Sequence, residues 1–316
     1  MAERTIQMKK ILVTGAGGLV GNAIKLLNPK NTFYASRHDA DLTNFTEAEK
    51  LFKRVKPTHV IHLAAEVGGL GGNIMHSGKY FRNNILINVN VLECARLSGV
   101  KKLISFMSTC VFPDKTDYPL NEKNIHNGPP HPSNFGYAYA KRMLEVQSNA
   151  YRKEWGCNYI VAIPTNIYGP HDNWSLKEGH VIPSLIHKIY LAKKENKPLY
   201  VWGTGKPLRE FIFSKDIARL SLWALKKYDE ETPIIFSSGK EISIKKLVKI
   251  TAKIMDFKGE IIFDSTKPDG QYRKPSDTTK LRKYFPDLTL TPLEKGLKIT
   301  VDWFLKNYSK IRTYDR

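Results

Sequence analysis

A tyrosine and a lysine lie four residues apart in the segment YAYAK, residues 137–141. In a helix this spacing puts Tyr137 and Lys141 on one face. An ammonium group beside the phenol stabilises tyrosinate and lowers the tyrosine pKa, so the phenol can donate a proton to a carbonyl that receives hydride. Ser108 follows a predicted strand and can hydrogen-bond the same substrate oxygen. Tyr139 does not have this spacing from Lys141. Ser108, Tyr137 and Lys141 together predict carbonyl reduction.

Three glycines, Gly15, Gly18 and Gly21, recur at three-residue spacing between a predicted strand and a predicted helix. In a dinucleotide-binding turn the first glycine makes the turn and the second lets backbone amides approach a pyrophosphate. The third lets the helix pack closely on the strand. A plain glycine-rich turn is the alternative, but the strand before it and the helix after it favour the dinucleotide site.

The end of the second predicted strand, YASRH at residues 34–38, distinguishes the two nicotinamide cofactors. An NAD-binding chain carries an acidic residue there for the ribose 2′-hydroxyl, whereas an arginine can pair with the 2′-phosphate of NADP(H). Ser36 and Arg37 replace the acid, so NADP(H) is favoured, with an exposed surface arginine as the alternative. Asp41 and Leu42 suit an adenine contact, and a helix N-cap is the alternative for Asp41.

Strands and helices that must position these residues alternate along the first half of the chain. Strands are predicted near residues 11–14, 32–35, 59–63, 102–107 and 158–164, and helices near 20–27, 46–55, 83–98 and 137–155. The alternation indicates crossover units and therefore an α/β fold with a Rossmann-like, doubly wound parallel sheet. Loops follow residue 164, helix and strand return near 216–227 and 234–237, and the remainder is expected to be helical and lysine-rich.

Two domains are expected from this organisation. Residues 1–168, with a returning segment at about 215–240, are predicted to form an NADP-binding Rossmann domain. Residues 169–214 and 241–316 are predicted to form a smaller α/β substrate-binding domain, which lies across the carboxyl ends of the strands.

The composition is that of an ordinary folded chain. The 316 residues are 41% hydrophobic and 25% charged, which excludes collagen-like and largely disordered classes. No apolar run is long enough to span a membrane, and the first ten residues lack the apolar core of a signal peptide. The three cysteines form no CxxC pair, so we expect no disulfide scaffold, no metal site and a cytoplasmic location.

The chain carries 50 Lys and Arg against 30 Asp and Glu, a formal net charge of +20. Such an excess attracts polyanions, so nucleic acid is one possible class of partner. The charge is spread over the whole chain, however, with no basic tail and no arginine-rich tract. We therefore expect a phosphorylated small molecule rather than nucleic acid as the main partner.

The glycine turn together with Ser108, Tyr137 and Lys141 resembles the extended short-chain dehydrogenase/reductase superfamily. Further segments are similar to the GDP-L-fucose synthase family within it: HLAAEVGGL (62–70), MSTCVFPD (107–114), NGPPHPSNFGYAYAKRM (127–143), IPTNIYGPHDN (163–173), GHVIPSLIHK (179–188), VWGTGKPLREFIFS (201–214) and KPDGQYRK (267–274). The similarity runs from about residue 8 to the C-terminus. It implies a homodimeric enzyme that uses NADPH to epimerise GDP-4-keto-6-deoxy-D-mannose at C3 and C5 and to reduce it at C4, which gives GDP-L-fucose.

The resemblance also implies roles for two further residues. Cys110 is the expected base and His180 the expected acid at C3 and C5, and both types of side chain titrate within reach of neutral pH. Tyr137, supported by Lys141 and Ser108, would stabilise the oxyanion in both steps. Related sugar-nucleotide dehydratases carry Asp-Glu in place of Thr109-Cys110. The alternatives are a small buried hydrophobe at 110 and a structural or helix-capping histidine at 180.

Ligand contacts are expected from two groups of residues. Lys188, Arg209 and Lys274 resemble the basic groups that hold the GDP diphosphate and ribose, with a plain surface charge as the alternative for each. The expected substrate-binding residues are Asn166, Val181, Lys188, Trp202, Arg209 and Lys274. The expected cofactor-binding residues are Gly15, Gly18, Leu19, Val20, Gly21, Arg37, Asp41, Leu42, Ala64, Ala65, Lys141, Pro164 and His180.

Two other functions remain open at this point. The chain can be another nucleotide-sugar epimerase or reductase of the same superfamily. It can also be a catalytically silent NADP-binding scaffold that binds nucleic acid through its basic surface. The presence of all five expected catalytic residues argues against the scaffold, which has no need of them.

Overall fold

The computed structural model describes residues 10–313 with the exception of Pro268 and Gly270. Its strands are β1 (Ile11–Thr14), β2 (Thr32–Tyr34), β3 (His59–His62), β4 (Lys102–Phe106), β5 (Tyr159–Pro164), β6 (Asn166–Tyr168), β7 (Leu199–Trp202), β8 (Leu208–Phe213), β9 (Ile234–Phe236), β10 (Glu241–Ser243) and β11 (Ile261–Asp264). Its helices are α1 (Leu19–Leu27), α2 (Phe45–Val55), α3 (Leu70–Met75), α4 (Ser77–Leu97), α5 (Phe135–Trp155), α6 (Val181–Glu195), α7 (Ser214–Lys227), α8 (Ile244–Ile254), α9 (Thr279–Tyr284) and α10 (Leu293–Asn307).

Six strands form the main sheet in the order β2-β1-β3-β4-β5-β9, and each neighbouring pair is parallel. Adjacent residues of β4 face opposite sides: Leu103 packs in a core with α2, α4 and α5, and Ile104 in a core with α1 and α7. Helices therefore cover both faces, which explains why the strands are apolar along their length. The predicted α/β fold with a doubly wound parallel sheet is confirmed.

Two smaller sheets lie beyond β5 in the chain. The first has the order β10-β8-β6, and the second pairs β11 with β7. They share a third apolar core with α6, α8 and α10, which includes Trp174, Leu247 and Phe304. In contrast, β9 returns to the main sheet and pairs with β5.

Two expectations about the elements are wrong. The helix expected from residue 83 begins at Ser77, and α3 precedes it in a segment whose glycines predict no helix. Tertiary contact compensates there, since the Gly69 amide donates to the Glu178 carbonyl at 2.7 Å. The region after residue 240 is not only helical, because β10 pairs with β8 and β11 pairs with β7.

Within the part of the chain that is described, no helix is both long and apolar enough to cross a membrane.

Candidate active site

The glycine turn between β1 and α1 has the geometry that its spacing predicts. Gly15 has a φ of +67°, and a Cβ there would lie 2.7 Å from the Ala64 amide nitrogen. A Cβ on Gly21 would lie 2.5 Å from the Cα of Ala16. Gly18 is the N-cap of α1 and has no side chain to accept from the first amides of the helix. The turn therefore leaves those amides available to an anion.

Asn22 stabilises this turn, although its role is not predicted from the sequence. Its Nδ2 donates to the carbonyls of Gly17 and Gly18 at 3.0 and 2.9 Å. The only sequence feature that could indicate this role is an amide side chain four residues, or one helical turn, after Gly18. Leu19 and Val20 begin α1, so their amides belong to the same anion-facing end of the helix.

The segment after β2 places Arg37 in solvent. Ser36 instead bonds to Asp39, whose Oδ2 accepts from the Ser36 amide at 2.8 Å and from its hydroxyl at 2.9 Å. Asp41 accepts from the amide and hydroxyl of Thr43. The N-cap alternative for Asp41 is wrong, since α2 is capped by Asn44.

The remaining expected cofactor residues lie near the carboxyl ends of the main sheet's strands. Leu42 packs partly buried against the core. Ala64 and Ala65 follow β3, and the Ala64 amide donates to Thr14 Oγ1 at 3.3 Å. Pro164 ends β5. These ends meet at one edge of a parallel sheet, which is where α/β proteins bind nucleotides.

Tyr137 and Lys141 lie in the first two turns of α5 and are 8% and 4% exposed. Lys141 Nζ is 6.0 Å from the centre of the Tyr137 ring. Burial raises the Tyr137 pKa above its ordinary value, and the negative charges of Cys110 and Tyr80 raise it further. The expected lowering of this pKa is therefore not seen, because loss of solvation dominates. Burial also lowers the pKa of Lys141 to about 8.

Ser108 and Cys110 follow β4 at a single 3₁₀ turn, Thr109–Val111. Ser108 Oγ is the N-cap acceptor for the Cys110 amide at 3.5 Å. Burial raises the pKa of the Cys110 thiol, whereas its hydrogen bond with Ser108 and the charges of Lys274 and Lys141 lower it. Burial is the largest of these effects, so the pKa of the thiol lies above its ordinary value and the two lysine charges offset that only in part.

His180 is the N-cap of α6, but its ring makes no hydrogen bond with the described amides of the helix. The side chain is exposed, and the imidazole does not cap the helix. The backbone just before it is held by the Glu178 carbonyl, which accepts from Gly69.

The three expected phosphate-binding cations are half-buried. Burial lowers the pKa of Arg209, of Lys274 and of Lys188. Arg209 and Lys274 act electrostatically on each other, and Lys274 also on Cys110. A repulsive pair of partly desolvated cations is a setting that a bound anion would stabilise.

The other expected substrate residues are Asn166, Val181 and Trp202. Lys188 Nζ is 5.2 Å from the centre of the Trp202 ring, which is 64% exposed. Val181 is half-buried at the start of α6. Asn166 donates from Nδ2 to the Glu210 carbonyl at 2.8 Å, in the residue next to Arg209.

The structure therefore brings four of the expected residues together around one thiol: Tyr137, Lys141 and Lys274 each interact electrostatically with Cys110. Lys188 and Trp202 form a second pair through the cation–π contact.

Comparisons with known proteins show what the chain is similar to. Residues 11–239 match the model of the NAD dependent epimerase/dehydratase family. The chain is 50% identical to a GDP-L-fucose synthase of Dictyostelium discoideum, over 98% of this chain and 99% of that protein. It is 46% identical to a probable GDP-L-fucose synthase of Drosophila melanogaster, over 96% of this chain and all of that one.

The chain belongs to the NAD dependent epimerase/dehydratase family and, within it, to the GDP-L-fucose synthases.

A crystal structure of a GDP-L-fucose synthetase from Naegleria fowleri bound to NADP superimposes with a TM-score of 0.91. It is 39% identical and covers 97% of each chain. The family resemblance read from the sequence segments is confirmed.

One feature that is not predicted from the sequence is a buried network of polar side chains beneath α5. Thr14 Oγ1 is 2.8 Å from His62 Nδ1, and His62 Nε2 is 3.2 Å from Asn88 Oδ1. Asn88 Nδ2 donates to the Ala140 carbonyl, next to Lys141. Burial and the Lys141 charge lower the pKa of His62 to about 3, so its ring is neutral. This hydrogen-bonded network connects β1 to α5. Its residues are too far apart in sequence for their spacing to predict that they meet.

Proposed function

We propose that the protein converts GDP-4-keto-6-deoxy-D-mannose to GDP-L-fucose by epimerising C3 and C5 and reducing C4 with NADPH. The observation that carries the proposal is the position of Cys110, a titratable thiol in the same electrostatic cluster as Tyr137 and Lys141. A simple reductase needs the tyrosine and lysine but has no use for a thiol base. Epimerisation together with reduction explains why the thiol is present as well as the tyrosine and the lysine.

Cys110 and His180 are the groups proposed for epimerisation. The C4 ketone makes the hydrogens at C3 and C5 acidic, so the Cys110 thiolate can take a proton from carbon. The electron pair moves onto O4, and His180 returns a proton to the opposite face of the same carbon. Burial raises the pKa of the Cys110 thiol, and the charges of Lys274 and Lys141 offset part of that increase in favour of the thiolate.

Tyr137 is proposed to act in both stages. Its hydroxyl and that of Ser108 hydrogen-bond O4, and the Lys141 charge stabilises the negative charge that develops there. NADPH, when bound, supplies the hydride that reduces C4. Tyr137 then donates its proton to O4, which its raised pKa suits because the phenol is protonated before the step.

The glycine turn and the residues around it fit NADP(H). Gly15 in its left-handed conformation, the uncapped start of α1 and the close packing at Gly21 form a cradle that a Cβ would fill. Arg37, in solvent after β2, is proposed to pair with the 2′-phosphate. We accordingly propose that residues 1–168 and about 215–240 bind the cofactor, and that 169–214 and 241–316 bind the GDP-sugar.

The GDP-sugar is proposed to lie along Lys188, Arg209 and Lys274. Arginine can fork onto phosphate oxygens, and the half-buried lysines add positive charge at the diphosphate. The exposed ring of Trp202 offers an apolar face to the nucleotide.

A homodimer is proposed on the basis of the face formed by α4 and α5, which pack on each other. Phe81, Leu86 and Val89 of α4 and Phe135 and Val146 of α5 are 38–53% exposed. Such apolar exposure on two neighbouring helices is typical of an interface. Light scattering on the purified protein measures the mass in solution. A cytoplasmic location is proposed as well, in keeping with three unpaired cysteines.

The test is to incubate the purified protein with GDP-4-keto-6-deoxy-D-mannose and NADPH. Loss of absorbance at the NADPH band should accompany formation of GDP-L-fucose, identified by chromatography against a standard. A folded protein that binds NADPH but consumes none would refute the proposal. A reduced product that keeps the original configuration at C3 and C5 would instead indicate another nucleotide-sugar reductase.

A further inference from the structure

Residues 272–276, here called the Lys274 segment, are joined to β8 at two points. The Leu208 amide donates to the Tyr272 carbonyl at 2.8 Å. At the other end of the segment, the Ser276 amide donates to Oε1 of Glu210 at 3.2 Å. The first contact is made by backbone atoms alone, whereas the second depends on the Glu210 side chain.

Arg209 and Lys274 are the middle residues of the two sides of this double contact. Arg209 lies between Leu208 and Glu210 in β8, and Lys274 lies at the centre of its segment. Burial lowers the pKa of Lys274, and the charge of Arg209 lowers it further. Because like charges repel, the contacts at the two ends must hold these cations together against that repulsion.

The Glu210 carboxylate is buried, and both of its oxygens accept hydrogen bonds. The residue is 2% exposed. Oε1 accepts from the Ser276 amide, and Oε2 accepts from the Ser237 hydroxyl at 2.8 Å. Ser237 follows β9 of the main sheet, and its Oγ accepts from the Gly239 amide at 3.0 Å. One side chain therefore connects β8, the end of a main-sheet strand and the Lys274 segment.

The Lys274 segment is also held by the part of the chain that follows Cys110. The Leu120 amide donates to the Pro275 carbonyl at 2.7 Å, and the Asp277 amide donates to the Leu120 carbonyl at 2.9 Å. These bonds join backbone atoms, so no side-chain substitution at Glu210 removes them. A change at Glu210 is therefore expected to shift the segment rather than to release it.

We propose that Glu210 is the positioning residue for the diphosphate site, with its carboxylate fixing Lys274 at the distance from Arg209 at which both cations reach one diphosphate. Glu210 itself touches no ligand in this role. A buried polar group whose hydrogen bonds are all formed can specify one arrangement of the segments that it joins. The proposal rests on the proposed function, in which Arg209 and Lys274 bind the diphosphate of the GDP-sugar.

The test compares the affinity for GDP, measured by isothermal titration calorimetry, among three variants. Glu210→Gln keeps the length of the side chain and an oxygen for the Ser276 amide, so GDP affinity should stay close to that of wild type. Glu210→Asp keeps the charge but is one methylene shorter, and Glu210→Leu has no acceptor. Both should weaken GDP binding by about 10–100-fold, as expected for the loss of one charge-assisted hydrogen bond. NADPH affinity, measured by fluorescence, should be unchanged in all three.

The order of the three variants decides between position and charge. Wild-type GDP affinity in Glu210→Asp and Glu210→Leu would overturn the proposal. A loss in Glu210→Gln as large as in Glu210→Asp would also overturn it, because the length of the side chain would then not be what matters.

Asp216→Leu is the matched control for Glu210→Leu. Asp216 is also a buried carboxylate, 1% exposed, and its Oδ2 accepts from the Thr291 amide at 2.7 Å. It thus holds a segment that carries none of the expected ligand residues. Both substitutions should lower stability to urea, but Asp216→Leu should leave GDP affinity unchanged. An equal loss of GDP affinity in this control would overturn the proposal.

A double variant distinguishes action through Lys274 from general damage. In a Lys274→Met background, adding Glu210→Asp should cause no further loss of GDP affinity, because the group that Glu210 positions is already absent. Independent damage would instead multiply the two losses, and that result would overturn the proposal.

A measurement on the wild type applies even if Glu210→Asp and Glu210→Leu do not fold. If the bond between Glu210 and Ser276 favours GDP binding, then GDP must stabilise that bond in return. Saturating GDP should therefore slow hydrogen exchange of the Ser276 amide, and an unchanged exchange rate would overturn the proposal. Wild type that does not bind GDP would overturn the proposed function as well, whereas GDP binding that does not depend on Glu210 overturns this proposal alone.

Discussion

Replacing Lys141 by methionine is expected to stabilise the protein while abolishing its activity. Lys141 is 4% exposed, and burial lowers its pKa from 10.5 to about 8. The unfolded chain therefore binds this proton more tightly than the folded chain does. The buried Lys141 charge that the site needs for catalysis therefore destabilises the folded protein, a common feature of active sites.

The magnitude follows from the difference between the two pKa values. Each tenfold difference in proton affinity is worth about 1.4 kcal/mol, so the buried ammonium lowers the free energy of unfolding by about 3 kcal/mol. The full cost applies below pH 8, where Lys141 is charged in both states. It decreases between pH 8 and 10.5, as the folded state loses the proton first, and is absent above pH 10.5.

The assay is urea unfolding of wild type and Lys141→Met at several pH values without ligand. Methionine has a similar length and no charge, so the variant should be more stable by about 3 kcal/mol at pH 7, and the gap should close toward pH 10.5. Lys153→Met, at an exposed position of the same helix, is the control and should change stability by no more than about 0.5 kcal/mol. A gap that is absent at pH 7, or that does not vary with pH, would show that burial does not perturb Lys141 as described.

Three further substitutions test the site. Cys110→Ser should lower C3 and C5 exchange by about 100-fold or more, because serine is too weak an acid to act as the base; unchanged turnover and product stereochemistry would exclude Cys110, and Cys157→Ser is the control cysteine. Gly15→Ala should destabilise the fold by about 1–2 kcal/mol and weaken NADPH binding, measured by unfolding and fluorescence titration, because φ is +67° and the new Cβ meets the Ala64 amide. Arg37→Ala should weaken NADPH binding by about 10–100-fold and leave NADH binding unchanged, as expected for one charge-assisted hydrogen bond; equal losses for both cofactors would contradict the 2′-phosphate contact.

Most of the fold can be predicted from local sequence patterns. The strand, glycine turn and helix around residues 11–27 are readable because each depends on neighbours in sequence: alternation of apolar residues, glycine conformation and helical periodicity. The spacing of Tyr137 and Lys141 is equally local, since one helix holds both. These features are the same whatever the rest of the chain does.

Helix α3 and the pairing of β9 with β5 show the limit of such patterns, although the sequence does predict a return of residues 215–240 to the Rossmann domain. No helix is predicted for α3, whose glycines disfavour one, and the contact of Gly69 with Glu178 joins segments more than one hundred residues apart. Where β9 pairs depends on which strand edge the folded sheet leaves open to it. Neither partner can be read from its own segment.

The chemistry of the site divides in the same way. The sequence by itself determined which residue types are present and which lie on one helix or after one strand, as with Tyr137, Lys141 and Cys110. Only the tertiary structure decided their proton affinities and partners: burial raises the pKa of Tyr137 against the expected effect of its lysine, and folding brings Lys274 to Cys110. The physical reason is that desolvation and charge–charge interaction depend on distance in space, which is set only once the chain has folded.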